Sequence, residues 1–164
     1  MSHIHEKIDF TIEVFVVYKD KVLVRKHDKY GFWGSVGGHI ELDEDPNQAA
    51  IREVKEEVGL DMKLIDDLLP FRKRTDKYQE LIPPKFINRH TISDTHEHVT
   101  FTYFGKVNSD KVVPENKDDV WKWFSKEDLE KNEEGIREEI LFYAKQALGE
   151  LSTKKVQKSS HRGN

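Results

Sequence analysis

The chain has 164 residues, which is enough for one domain with a hydrophobic core and too few for two. Charged residues make up 35% of it, apolar residues 36%, and the net charge is −4, so nothing predicts a general attraction to nucleic acid or to anionic membranes. The absence of cysteine excludes disulfides and thiolate chemistry. No stretch has the length of a membrane span or the pattern of a signal peptide, so we expect a cytoplasmic protein.

Two strands are predicted near the start of the chain. Residues 11–18, TIEVFVVY, are β-branched and aromatic and predict a mostly buried strand, and residues 22–26 predict its hairpin partner. Arg25 lies at the end of this second strand. It is either ordinary surface charge or a contact to a diphosphate group, because a guanidinium holds phosphate oxygens in a bidentate fork.

A short strand within residues 32–40, FWGSVGGHI, leads into a pair of glycines. Gly37 and Gly38 let the backbone come close to an ion or a phosphate, since they carry no side chain. His39 follows the pair. We interpret it either as a solvent-exposed loop histidine or as a phosphate contact.

The next segment carries strong helix signals over residues 47–58. Asp45 is placed as the N-cap, Pro46 fits the first turn, Gln48 would complete a capping box, and Gly59 suits the left-handed C-terminal stop. At about 100° per residue, one arc of this helix is apolar and predicts a packing face. It consists of Ala50, Ile51, Val54 and Val58.

Three carboxylates share a neighbouring arc of the same helix, namely Glu53, Glu56 and Glu57. Crowded carboxylates repel one another, so the arrangement costs stability unless a cation lies among them. Hard divalent ions such as Mg²⁺ prefer oxygen ligands of this kind. The alternative interpretation is a solvated acidic helix face.

Strands are predicted beyond the helix at residues 62–71, 86–92, 98–107 and 120–124, with a polar loop over residues 72–85. Ser125 can cap a short helix with Asp128 at its third position, and residues 133–148 predict an amphipathic helix. This order of elements suggests a mixed sheet covered on both faces. The basic tail that begins at residue 151 has almost nothing to bury, and we expect it to be flexible.

The run His96-Glu97-His98 stands before one of these strands. Alternating histidines could bind a transition metal, but no cysteine or further histidine motif completes a zinc site.

The segment around the glutamates resembles the Nudix box, without a substitution. The matching residues are Gly38, Glu44, Arg52, Glu53, Val54, Glu56, Glu57, Gly59 and Leu60. The resemblance extends over about residues 8–148. It implies a Nudix-like α/β/α sandwich with a mixed β-sheet, as a single domain over residues 1–150 followed by the tail over residues 151–164.

The resemblance also implies a reaction and a metal site. Nudix hydrolases cleave a diphosphate linked to another group, usually a nucleoside, with Mg²⁺ or Mn²⁺. Carried onto this chain, the metal ligands would be the carboxylates of Glu53, Glu56 and Glu57 and the carbonyl of Gly37. A divalent ion neutralises the diphosphate oxygens and lowers the pKa of a bound water.

Further roles follow from the same resemblance. Arg52 would orient the glutamates by ion pairing, and Glu44 would support the box or bind metal through water. Several Nudix enzymes take an additional acidic residue from the region of Glu97, as a metal ligand or as a base, so the general base is left open between Glu53 and Glu97. Tyr78 stands near the position where some dinucleoside-polyphosphate hydrolases place a substrate-binding tyrosine.

Two other functions share this resemblance. A non-catalytic Nudix domain that binds nucleotides or partner proteins usually lacks some of the metal glutamates, and all three are present here. The related isopentenyl-diphosphate isomerase needs a catalytic cysteine, which this chain lacks. We therefore expect a hydrolase of a small nucleoside diphosphate derivative, with no nucleic-acid or membrane partner. The substrate and the oligomeric state are left open, with a homodimer as one alternative.

Overall fold

The computed structural model describes residues 4–27 and 31–152, and in this part of the chain strands surround one long helix and two further helices follow them. The strands are β1 (Ile8–Tyr18), β2 (Lys21–Lys26), β3 (Trp33–Gly34), β4 (Val36–His39), β5 (Met62–Leu64), β6 (Arg74–Thr75), β7 (Tyr78–Gln79), β8 (Phe86–Ser93), β9 (His96–Val107) and β10 (Val120–Ser125). The helices are α1 (Pro46–Val58), α2 (Lys126–Lys131) and α3 (Glu138–Leu151).

The sheet is mixed, as predicted, and its central pair is parallel. Its strands follow the order β10-β2-β1-β9-β5, with β3 beside β2, β4 beside β1 and β8 beside β9. Strands β1 and β9 run parallel from the Ile8–Glu97 pair to the Val17–Lys106 pair, and the other neighbours are antiparallel. Strands β6 and β7 form a separate hairpin.

Alternate side chains of β1 enter two different cores. Ile12, Val14 and Val16 pack on the side of α1, where Val54 and Val58 are fully buried. On the opposite side, Phe15 and Val17 pack with residues of α2 and α3, including Leu129, Ile140, Ala144 and Leu148. Each fully buried aliphatic or aromatic side chain stabilises the fold by roughly 1.5–3 kcal/mol. The predicted sandwich is therefore confirmed, with an α1 face and an α3 face of the sheet.

The predicted caps of α1 are confirmed. The side chain of Asp45 accepts hydrogen bonds from the backbone N–H groups of Asn47 and Gln48, and the Gln48 side chain accepts from the N–H of Asp45. Gly59 ends the helix with φ of 69°, a left-handed angle that glycine adopts without a steric penalty. Ser125 and Asp128 form a second capping box at the start of α2.

Several predicted boundaries are wrong. The strand predicted over residues 62–71 ends at Leu64, and the N–H of Leu69 turns back to the carbonyl of Asp66. The polar segment at residues 72–85 contains the β6–β7 hairpin. Strand β9 begins at His96, so the His-Glu-His run lies inside it rather than before it. The last helix begins at Glu138, after a turn in which Asn132 and Gly135 have positive φ.

The C-terminal tail predicted to be flexible lies, from residue 153 onward, outside the described residues. None of the helices in the described ranges is long and apolar enough to cross a membrane.

Candidate active site

The glycine pair of β4 lies directly against the acidic arc of α1. Gly38 pairs with Ile12 of β1 on one side and meets the carboxylate of Glu53 on the other. A Cβ atom at Gly38 would overlap that carboxylate, and one at Gly37 would overlap the carbonyl oxygen of Ile12. A side chain at Gly37 would therefore push the neighbouring strand away, and one at Gly38 would displace the Glu53 carboxylate from its position.

Arg52 gathers the carboxylates on this side of the helix. Its Nε and Nη2 bind the two oxygens of Glu44 at 2.9 and 2.6 Å, a bidentate pair. Its Nη1 donates to Glu53 and to Glu56, both at 2.9 Å, and its Nη2 donates to the carbonyl of His39 at 3.1 Å. The guanidinium lowers the pKa of Glu44. One side chain thus ties the loop before α1, the helix and the end of β4 together.

Glu57 is held separately, at the other glycine. It accepts a hydrogen bond from the backbone N–H of Gly37 at 3.1 Å and one from Arg25 Nη1 at 2.7 Å. The same Arg25 nitrogen lies 3.3 Å from Asp119, and the guanidinium stacks over the ring of Trp121. Burial raises the pKa of Glu57 to about 7, although the charge of Arg25 opposes this shift.

These residues fit a divalent cation. Glu53 is only 2% exposed, and its burial likewise raises its pKa against the opposing effect of Arg52. Two buried carboxyl groups with raised pKa values are incompletely balanced by the two arginines. A divalent cation among oxygen donors would favour their ionised forms, which is the chemistry that such ions prefer.

A cavity of about 970 Å³ opens over the α3 face beside this site. Gly37, Glu57 and Arg25 line one end of it. Glu13 lies in its wall and accepts hydrogen bonds from Thr102 at 2.6 Å and from Ser35 at 3.2 Å. Burial raises the pKa of Glu13, while these hydrogen bonds oppose the shift.

Glu13 was not predicted as a site residue. The signal was a single acidic residue within a predicted buried strand, TIEVFVVY, where a charge without a partner would be costly.

Two predicted substrate contacts are brought to the cavity. Arg25 lines it, and its ion pair with Glu57 shows that it is more than ordinary surface charge. His39 lines it as well, but the alternative of a solvent-exposed loop histidine is wrong. This residue ends strand β4, and its side chain is only 12% exposed because it packs beside Asp9 and His98.

Tyr78 and Glu97 are placed elsewhere and are not among the residues that line the cavity. Tyr78 lies on the β6–β7 hairpin, and its hydroxyl donates to Glu80. The carboxylate of Glu97 lies 3.8 Å from Arg89, and Glu97 pairs with Ile8. That pair is four residues, or about 13 Å along the strand, from the level of Gly38. The structure thus does not bring Glu97 together with the box glutamates.

Two curated relatives match short parts of the chain. A dihydroneopterin triphosphate diphosphatase from Haemophilus influenzae is 49% identical over 41 residues, which is 25% of this chain and 26% of that protein. An octanoyltransferase from Myxococcus xanthus is 38% identical over 63 residues, which is 38% of this chain and 17% of that protein. The chain thus matches only about a quarter or less of the length of these relatives.

Longer matches identify the family. The family model described as the NUDIX domain matches residues 10–144. The crystal structure of a NUDIX-family hydrolase from Clostridium perfringens is 38% identical and superposes with a TM-score of 0.74, covering 86% of this chain and 96% of that one. With the box glutamates, the glycine pair and the arginine placed as described, the chain belongs to the Nudix family of hydrolases.

Proposed function

We propose that this protein is a metal-dependent hydrolase of small molecules in which a nucleoside diphosphate is linked to another group. It would use water to cleave a phosphoanhydride bond of such a substrate. The observation that carries the proposal is the position of Glu53 and Glu57 against the glycine pair, with Glu57 and both glycines in the lining of the large cavity. Two carboxylates with little solvent exposure beside a pocket cost stability and are therefore candidates for catalysis.

The cation would be held by the carboxylates of Glu53, Glu56 and Glu57 and by the carbonyl of Gly37. Mg²⁺ suits an all-oxygen donor set, and Mn²⁺ is an alternative. When bound, such an ion supplies charge neutralisation for the diphosphate oxygens and a water of lowered pKa.

The protein's own residues orient these groups. Arg52 holds Glu53 and Glu56 through one nitrogen, which reduces their mutual repulsion and fixes their side-chain angles. Arg25 reaches the cavity from β2 with its charge 2.7 Å from Glu57, where it can also receive a phosphate oxygen. His39 lines the cavity from the end of β4, so a phosphate contact remains part of the proposal for it.

We assign the proton acceptor to α1 rather than to Glu97. Oε1 of Glu53 accepts from Arg52, which leaves Oε2 as the atom that would take a proton from water. A bound cation would favour the ionised form of Glu53, and a carboxylate must be ionised to act as a general base.

The cavity accommodates the rest of the substrate. Its volume of about 970 Å³ is at the upper end of the usual range for small-molecule sites. Polar side chains of Glu13 and Asn88 line it together with the aromatic ring of Tyr143, which suits a flat heterocycle with hydrogen-bonding edges. Dihydroneopterin triphosphate, named for the Haemophilus influenzae relative, therefore belongs in a test panel with nucleoside triphosphates, ADP-ribose and dinucleoside polyphosphates.

The test is a turnover screen of this panel with Mg²⁺ or Mn²⁺, with the products identified by mass spectrometry. We expect cleavage of a phosphoanhydride bond that stops when a chelator removes the metal. Full turnover in excess chelator would contradict the role of the metal. Tight binding of a panel member without any turnover would instead support a non-catalytic nucleotide-binding domain.

A further inference from the structure

A second polar cluster includes the last residue of β4, and we call Asp9, His39, His96 and His98 the histidine cluster. Two of its members, His39 and His98, also line the large cavity. Asp9 is completely buried, and its Oδ2 lies 3.2 Å from Nε2 of His39 and 3.2 Å from Nε2 of His96. The backbone N–H groups of Ile4 and His5 donate to the same carboxylate. A buried carboxylate is thus surrounded by imidazoles.

His98 completes the group. Its ring centre is 5.0 Å from that of His39 and 5.3 Å from that of His96, with nearly perpendicular planes in both cases. One donor atom each from Asp9, His39 and His98 can be chosen so that all three lie within 4.8 Å of one another.

Strand register explains this convergence. Asp9 and His98 are direct partners in the parallel pairing of β1 with β9. His39 of β4 is the partner of Thr11, two residues further along β1, and side chains two residues apart point to the same face of a sheet. Three neighbouring strands therefore present these side chains on one face, and none of the three depends on a loop for its position.

The donor set differs from that of the box helix. Two imidazoles and one carboxylate are ligands for Zn²⁺ and similar transition metals, whereas Mg²⁺ prefers oxygen alone. At metal–ligand distances of about 2.0–2.1 Å, tetrahedral ligands lie about 3.3 Å apart. The separation of 3.2 Å between Oδ2 of Asp9 and Nε2 of His39 already matches this, and the donor atom of His98 lies within 4.8 Å of both residues' donor atoms.

We propose that Asp9, His39 and His98 form a second metal site, for Zn²⁺ or a transition metal of similar preference, separate from the Mg²⁺ site of the box helix. The His-Glu-His run was incomplete as a zinc site in the sequence, and the fold supplies the missing ligands from β1 and β4. With three protein ligands, one coordination position faces water or a small ligand. Metal binding at these three residues requires no hydrolytic turnover, although His39 and His98 also line the cavity proposed for the substrate.

The test measures binding of Zn²⁺ alone, in excess Mg²⁺, to the full chain without an affinity tag. Isothermal titration with the Glu56→Gln, Glu57→Gln double variant removes the contribution of the box. We expect one Zn²⁺ per chain, an increase in Tm on binding, and visible absorption typical of nitrogen ligation when Co²⁺ replaces Zn²⁺.

His98→Ala should weaken the affinity for Zn²⁺ at least about tenfold. His90→Ala is the matched control, because its ring also lies near His98, at 5.6 Å, but it supplies no donor atom to the set. If His98→Ala fails to fold, His98→Gln retains a polar side chain of similar size and replaces it in the test. Equal Zn²⁺ affinity in the parent and in the folded His98 variant, or no Zn²⁺ binding in excess Mg²⁺, would overturn the proposal and leave the cluster as a charge network around Asp9.

Discussion

The candidate active site and the histidine cluster meet at His39 of β4, and these two sides of the molecule balance buried charge in different ways. On the active-site side, carboxylates face guanidinium groups, which stay charged at any pH at which proteins fold. On the other side, Asp9 faces imidazoles, whose charge depends on pH and on metal. His39 belongs to both sides, since its carbonyl accepts from Arg52 and its ring lies beside Asp9. The first side therefore suits a hard cation and a phosphate, and the second suits a nitrogen-binding metal.

The largest expected effect on turnover comes from removing two carboxylate charges of the candidate active site. Glu56→Gln with Glu57→Gln should lower turnover by roughly a hundredfold or more, because electrostatic stabilisation of the reaction is lost. The free energy of unfolding should stay the same or rise, since like charges are removed from one helix face. Glu130→Gln on α2, an exposed residue with a 3.6 Å contact to Lys126, is the control and should change neither quantity. Wild-type turnover in the double variant would show that these carboxylates are not catalytic.

Removing the arginine should harm both stability and activity. Arg52→Ala leaves Glu53 buried without its partner, and breaking a fully buried pair costs about 3–5 kcal/mol. Because the Arg52 side chain is 22% exposed, we expect a smaller loss of about 2 kcal/mol in a denaturant titration, together with lower turnover.

Arg52→Lys sharpens this experiment, since it keeps the charge but not the bidentate fork to Glu44. Relative to Arg52→Ala, Arg52→Lys should restore more of the lost unfolding free energy than of the lost turnover. Unchanged metal affinity and turnover in Arg52→Ala would reduce Arg52 to a surface charge.

The pH dependence of stability should be dominated on the active-site side by Glu57. Its folded pKa of about 7 exceeds the ordinary value of 4.5, so the folded state holds the proton more tightly. This contribution is fully present below pH 4.5 and is lost as the pH rises through 7. With 13% exposure of the side chain, it amounts to as much as roughly 3 kcal/mol.

Glu57→Gln should reduce the change in unfolding free energy between pH 4.5 and pH 7, as measured by denaturant titrations across this range. Mg²⁺ should flatten it in the parent protein as well, because the ion favours the ionised carboxylate. A curve that is the same for the parent and for Glu57→Gln would assign the titration to another group.

The smallest effect is expected for Glu97. Its carboxylate faces Arg89 at 3.8 Å rather than the box, and a partly exposed ion pair contributes about 0–1 kcal/mol. Glu97→Gln should therefore keep kcat, KM and the pH–rate profile of the parent. A strong fall in kcat with little change in KM would instead mean that β9 moves during turnover and brings Glu97 to the reacting water.

The active-site side could be predicted because its signals are local. The caps at Asp45 and Gly59 act within one turn of the chain, and the three metal-binding glutamates of the box lie on a single helix whose period is known. Because Glu53, Glu56 and Glu57 share an arc of the helix, their suitability for binding a cation can be inferred without knowledge of the fold.

The histidine cluster could not be predicted from local signals of this kind. Asp9, His39 and His98 meet only through strand pairing, and register is set by the whole sheet rather than by any short pattern. Glu13 was missed for the same reason, since its partner Thr102 belongs to β9. The strand predicted as far as residue 71 ended early because pairing with β9 extends only over Met62 to Leu64.

The parallel pairing of β1 with β9 also bears on how the protein folds. It joins residues far apart in the chain, since the paired residues Glu13 and Thr102 are separated by 89 positions. Contacts of this kind form slowly, because a long intervening loop must close before they contribute. During synthesis, α1 is complete at Val58, yet the centre of the sheet stays open until Val107 has emerged. Until then β1 has no partner along the edge that pairs with β9, so the nascent chain should be a substrate for chaperones over that interval.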